Sequence, residues 1–367
     1  MVNKISNRET LIWLNSLNIG NRNMEKIMEQ VPQLMELWNL SANKIYDLKG
    51  IKSNIKDKII QNRNEDYFNR LFTSIDKHNI DITTIFDKDY PDRLQYIYDS
   101  PKVLYRKGNF DEKDSLSIAI VGSRKSTSYG KWATEKFVKE LVKLDVTIVS
   151  GLALGIDSIA HKVALEEGGR TIGVLGNGLD TVYPKKNKDI YEKIPQNGAL
   201  VTEYFLGVPP LAYNFPQRNR IISGISLGVI VIEAKEKSGS LITAQHALEQ
   251  GKEVFALPGN INSIFSRGTN KLIKDGAKLI MDIDDILEEI YELQSKMMEK
   301  KSEDIDVSEL SPLEMEVFEL IKEGPIHCDS VASNTGLDIS TVYSILTILE
   351  LKGMVRELTG RVFTLSD

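Results

Sequence analysis

One cysteine, Cys328, occurs in 367 residues. That excludes an intrachain disulfide and any zinc site drawing two or more cysteines from one chain. Only four histidines are present (His78, His161, His246 and His327), with no paired acidic motif beside them, so a metal hydrolase is unsupported. No run approaches the roughly 18 apolar residues of a membrane span. The first residues, MVNKISNRETLIWLNSLN, lack the apolar core of a signal peptide. These absences predict a protein of the reducing cytoplasm with no membrane partner. Phosphate motifs tied to a reaction are missing as well. There is no G-x-x-x-x-G-K-[ST], no G-x-G-x-x-G after a first strand and no G-x-S-x-G elbow. No catalytic residue, metal or cofactor is nominated.

What is present centres on residues 117–187. Ile118–Val121, Val146–Val149 and Thr171–Leu175 are short, continuously apolar runs, each ending in Gly or Ser-Gly. Helical periodicity follows the first two. Strand, Gly turn and helix make the βα unit of a parallel sheet covered on both faces. Each helix aims free N–H groups and a positive dipole end at one rim, which suits phosphate. Further runs continue the alternation: Leu200–Glu203, Val229–Glu233, Glu253–Leu257 and Lys278–Met281 as strands, Phe215–Ser226 and Leu241–Gln250 as helices. The fold class predicted is α/β, a doubly wound, mostly parallel sheet over residues 86–293.

Flanking segments differ in composition. Residues 1–85 carry apolar residues at helical spacing, and Leu48-Lys49-Gly50-Ile51 before Lys52–Ile60 resembles half of a helix–hairpin–helix element. Residues 294–307, charged and poor in apolar groups, read as a linker. Residues 308–367 read as three helices and a hairpin turning at Thr359-Gly360, a winged helix, with Ser311 capping the first helix and Pro312 opening it. The formal net charge of −6 argues against nucleic acid, yet it is unevenly spread. Residues 308–367 hold 4 basic against 10 acidic side chains, residues 118–220 hold 14 against 10. The Gly-rich half therefore carries the local field that captures anions.

The motifs resemble those of the DNA-processing protein A family, also called DprA or Smf. Val121-Gly122-Ser123-Arg124 with Ser128-Tyr129-Gly130 is similar to the first motif of that family. Ser150-Gly151-Leu152-Ala153-Leu154-Gly155-Ile156-Asp157 is similar to the second. Val174-Leu175-Gly176-Asn177-Gly178 with Tyr183-Pro184-Lys185 resembles the third. Phe215-Pro216-Gln217-Arg218-Asn219-Arg220 resembles the fourth and Ser238-Gly239-Ser240-Leu241 the fifth. The resemblance covers residues 95–290. It implies an extended Rossmann-like fold and a single-stranded DNA-binding protein without known catalytic activity. Such a protein accepts incoming strands in natural transformation, helps load the RecA recombinase and commonly dimerises through the Rossmann-like domain. It also implies a phosphate pocket using Arg124 and Lys185.

Read for their own chemistry, the candidates for phosphate contact are Gly122, Ser123, Arg124, Gly151, Gly155, Gly176, Lys185, Lys186, Arg218, Asn219, Arg220, Ser238, Gly239 and Ser240. A guanidinium at a strand end grips phosphate with two hydrogen bonds. Arg218 and Arg220 stand two apart on a helix and cannot share a face, so one is expected at the ligand and the other in an internal pair. Asp157 and Glu203 are expected to orient these cations, and His161 to be a core histidine. Tyr129 and Phe215 flank the basic positions, where an aromatic either stacks bases or packs beside a Gly turn. The rival reading is a LOG-like phosphoribohydrolase cleaving nucleoside monophosphates. Its P-G-G-x-G-T-x-x-E motif has no Glu counterpart in Ser238–Ala244.

Overall fold

The computed structural model of the chain describes residues 5–303 and 310–366, in two compact units that divide after Ile290. The first unit is built on a nine-stranded sheet. Its strands in chain order are β1 (Asp81–Thr84), β2 (Val103–Gly108), β3 (Ser117–Val121), β4 (Thr147–Ser150), β5 (Thr171–Val174), β6 (Gly198–Thr202), β7 (Gly228–Val231), β8 (Glu253–Ala256) and β9 (Lys278–Leu279). They lie in the order β1-β2-β6-β5-β4-β3-β7-β8-β9. The seven from β6 to β9 are parallel, and β2 and β1 extend that edge antiparallel. Every residue of β3, β4, β5, β6 and β7 is buried, the pattern required when helices cover both faces. The sheet is doubly wound. The chain steps outward from β3 through β4 and β5 to β6, then returns to the other side of β3 as β7.

Two apolar layers hold it. On one face the helices of residues 7–77 share a core with Val103, Tyr105, Leu152, Leu175 and Leu200. A chain of aromatic contacts organises that layer: Trp13 lies 4.8 Å from Trp38, Trp38 lies 5.5 Å from Phe68, and Phe68 lies 4.8 Å from Phe72. The helical region is thus one body with the sheet. The expected boundary at residue 85 also leaves β1 on the helical side, although β1 pairs with β2. On the other face helix Asn214–Ile225 packs its Ile221, Ile222 and Ile225 over Val121, Val149, Val174 and Val229. Its C-terminal end is closed by Lys252, whose ammonium donates to the carbonyls of Ser223, Gly224 and Ser226.

In the second unit helix Tyr291–Glu303 runs through most of the expected linker. Its charged residues are good helix formers, so polarity there does not exclude regular structure. Residues 304–307 of that linker lie outside the described residues. Helices Pro312–Lys322, Cys328–Thr335 and Ile339–Leu351 follow, with a three-stranded sheet of β10 (Ile326–His327), β12 (Val362–Leu365) and β11 (Val355–Leu358) in that order. The Ser311 hydroxyl caps the first helix and Glu314 returns the bond to its backbone, with Pro312 at the first helical position. This is a winged helix. Among the described residues no helix is long and apolar enough to cross a membrane.

Candidate functional site

In an open parallel sheet, ligands bind beyond the carboxyl ends of the strands, where successive connections diverge to opposite faces. Here that point lies between β3 and β7. A crevice of about 350 Å³ opens there, lined by the loops that follow both strands and by the start of helix Asn214–Ile225. Arg124, Lys125, Lys235 and Lys237 line it and are exposed. Arg218 lies at its floor, 4% exposed. Asp157 is the only carboxylate among the lining residues, and it is buried.

Backbone constraints bring these loops together. Gly155 has φ +80°, and a Cβ there would stand 2.2 Å from the Ser123 carbonyl oxygen. Only glycine permits the two loops to touch. At Gly151 a Cβ would wedge between Arg218 and Asp157, 2.7 Å from Nη2 and 2.8 Å from Oδ2. The Asp157 carboxylate accepts from the backbone N–H of Ala153, at 3.4 Å, and of Gly151 and Gly122. It thereby ties the loop after β3 to the loop after β4. Burial still holds its carboxyl above the usual carboxylate range, with Arg218 and those N–H groups opposing. Glu233, two residues beyond β7, accepts from the Thr127 backbone N–H at 3.0 Å and from the Thr127 hydroxyl. Thr127 in turn caps helix Ser128–Lys143. Asp157 and Glu233 are therefore builders of the rim.

Arg218 is spent in part on the fold. Its Nη1 donates to the carbonyl of Gly151 at 2.8 Å and to that of Val174, and its Nε donates to Asn219 Oδ1 at 3.3 Å. Burial pulls its guanidinium down to about 10, against the attraction of Asp157. Asn219 donates onward to the Gly239 carbonyl at 3.2 Å. Phe215 joins the cations, with the guanidinium carbons of Arg124 and Arg218 both 5.9 Å from its ring centre. Tyr183 sits on the same ring at 5.5 Å. Gly176 makes room for it, since a Cβ there would fall 2.9 Å from the Phe215 ring.

Most of the residues singled out from the sequence meet here. Gly122, Ser123, Arg124, Arg218, Asn219, Ser238, Gly239 and Ser240 all line the crevice. The Ser123 hydroxyl is engaged with the backbone of Lys125, and the Ser238 hydroxyl caps helix Gly239–Glu249. Lys185 and Lys186 are exposed on a turn beyond Tyr183-Pro184, outside the crevice lining. That turn is pinned by Asn187, which donates to the Leu152 carbonyl at 2.9 Å. Arg220 points away. It pairs with Glu203 at 2.7 Å and Asp99 at 3.5 Å and lines a different hollow. Opposite sides of one helix separate Arg218 from Arg220, as their spacing requires. Tyr129 is absent from the lining; it stacks on Trp132 at 6.0 Å and donates to the Pro258 carbonyl. His161 is fully buried, its Nδ1 2.7 Å from the Thr171 hydroxyl, and burial pushes it down to about 3. Lys125, Lys235 and Lys237 escaped the sequence reading. Lys235 and Lys237 precede the helix cap Ser238, and that proximity was the available signal.

The sequence profile of the DNA recombination-mediator protein A family matches residues 81–291, and that of the DprA winged helix domain matches residues 303–361. Protein Smf of Escherichia coli is 42% identical over 275 residues, covering 74% of this chain and 74% of its own. The DNA processing protein DprA of Bacillus subtilis is 41% identical over 245 residues, 66% of this chain and 82% of its own. Among solved structures, DprA from Streptococcus pneumoniae superimposes with a TM-score of 0.69 at 38% identity, covering 78% of this chain and 99% of that one. DNA processing protein A from Helicobacter pylori, described with a single-stranded DNA binding mode, superimposes with a TM-score of 0.51 at 35% identity. It covers 57% of this chain and 96% of that one.

Proposed function

This chain belongs to the DNA recombination-mediator protein A family, and from that membership we propose that it binds single-stranded DNA by gripping phosphates in the crevice between β3 and β7. The observation that carries the reading is the convergence of Arg124, Lys125, Lys235 and Lys237 on one hollow. Arg218 lies beneath them, and the sole lining carboxylate is buried. Phosphates supply affinity through counterion release, and the loop backbone fixes register. Phe215 and Tyr183 offer faces for stacking. Lys185 and Lys186 extend the positive rim. Arg220, held by Glu203, is assigned no DNA contact.

Capture rather than turnover suits the residues present. No histidine lines the crevice, and Asp157 is committed to backbone N–H groups, so no general base faces the lining hydroxyls of Ser123, Ser238 and Ser240. The phosphoribohydrolase reading lacks its Glu at the start of helix Gly239–Glu249. In natural transformation the protein then shields incoming strands and hands them to RecA, acting as a homodimer through the sheet domain. The resemblance to the family supports these roles.

Fluorescence anisotropy with single-stranded and duplex oligonucleotides across a salt series tests the proposal. No helix of the crevice is basic enough to fill a major groove, so the single strand binds more tightly. Log affinity falls linearly with log salt. Equal affinity for the two forms, or affinity indifferent to salt, refutes it.

A further inference from the structure

A larger hollow of about 1110 Å³ lies within the first unit. It is bounded by the first two helices, Asn7–Ser16 and Asn21–Gln30, by the loop after β6, and by the far side of helix Asn214–Ile225. Its floor is closed by internal pairs. Arg220 holds Glu203 at 2.7 Å, and the Asn21 amide donates to the same carboxylate at 2.8 Å. Its walls are open. Tyr98 and Tyr213 are 76% and 63% exposed, and the Arg22 guanidinium lies 4.5 Å over the Tyr98 ring.

The charge of this hollow is unlike that of the crevice. Asp99, Glu203 and Glu249 outnumber Arg22 and Arg220 in its lining, with His246 beside them. A phosphate backbone gains little there. Neutral planar rings suit it better, because exposed tyrosines accept any nucleobase face and an arginine adds a cation above the stack. The two hollows share Pro216. Along the ridge at 211–217 the lining alternates, Ala212 and Phe215 facing the crevice, Tyr213 and Gln217 facing the larger hollow. A strand gripped at Arg124 has only this ridge to cross.

We propose that nucleobases of a single strand leaving the crevice stack in this groove on Tyr98 and Tyr213. The crevice at the carboxyl ends of β3 and β7 then holds phosphates while the groove beside the N-terminal helices holds bases, an inference that rests on the crevice reading above.

The test measures anisotropy with three oligonucleotides. One of about six nucleotides fills the crevice alone. One of about twenty reaches beyond it, since single modules occupy roughly 4–16 nucleotides. The third is the long one with abasic sites outside a central six. Replacing Tyr98 and Tyr213 together by Ala weakens the long oligonucleotide about tenfold, within the range for lost base stacking. The short and abasic ligands bind as to the parent, and the salt slope is unchanged because no cation is lost. Tyr→Phe at both positions binds like the parent. Both tyrosines are exposed, so matching thermal melts establish that the fold is intact. The proposal is overturned if the Ala variant binds the long oligonucleotide like the parent, as it would if the groove takes a protein segment instead. It is equally overturned if the loss is the same for the abasic ligand. Arg124→Ala separates the two readings, since it weakens all three ligands. If it weakens none, the crevice assignment fails, whatever the tyrosines show.

Discussion

Arg124 and Arg218 meet at one crevice yet have different duties, and their partners decide which. Arg124 is exposed and free to meet a phosphate, whereas Arg218 lies under the same crevice facing a buried carboxylate. Arg218→Ala leaves Asp157 buried without its opposing charge, which costs about 3–5 kcal/mol in a denaturant melt, while Arg124→Ala leaves the melt unchanged. An Arg218→Ala protein as stable as the parent contradicts the assignment. His161 carries a second test. Its pKa is about 3 in the fold against 6.5 ordinarily, so the unfolded chain binds the extra proton. Stability from this group is fully present above about 6.5 and is lost as pH falls toward 3, at up to about 1.4 kcal/mol per pH unit. His161→Phe should flatten that part of the stability–pH curve. An unchanged slope in the variant means another group titrates there. The sequence revealed the core character of His161 through its Ala and Val neighbours. It could not reveal that Arg218 donates to carbonyls at the ends of two different strands, because those contacts span 67 and 44 residues.

At the level of elements, short continuous apolar runs, the first three ended by glycine, are enough to place β3 through β8, since buried parallel strands read as such runs. β1 escaped because Asp81-Ile82-Thr83-Thr84 is short, half polar and antiparallel at an edge. The helix at Tyr291–Glu303 is hidden in the sequence because a charged stretch poor in apolar residues carries no helical periodicity. The loop after β4 shows what glycine spacing encodes. Gly155→Ala forces a left-handed φ on a residue with a Cβ and drives it into the Ser123 carbonyl. A loss of about 1–3 kcal/mol is expected, together with weakened single-strand binding as the two loops part. Gly239→Ala is the control for stability alone, because nothing lies within 4 Å of the Cβ it adds, although Gly239 itself lines the crevice. Equal losses of stability from the two substitutions contradict the proposed loop contact.

For the whole molecule, the division after Ile290 separates a mildly basic binding unit from an acidic winged helix. Deleting residues 291–367 should leave single-strand affinity unchanged or slightly raised, because like charge near the backbone is removed. A large loss on truncation assigns DNA contact to the wing. The central claim, that Arg124 in the crevice holds the phosphate backbone of a single strand, is tested most directly by one number. That number is the slope of log affinity against log salt for Arg124→Ala and the parent, on one single-stranded oligonucleotide. Each phosphate contact on a single strand contributes about 0.7 to that slope. The account predicts weaker binding and a slope smaller by about that amount, with an unchanged melt. A variant that binds as tightly as the parent, with the same slope, contradicts it.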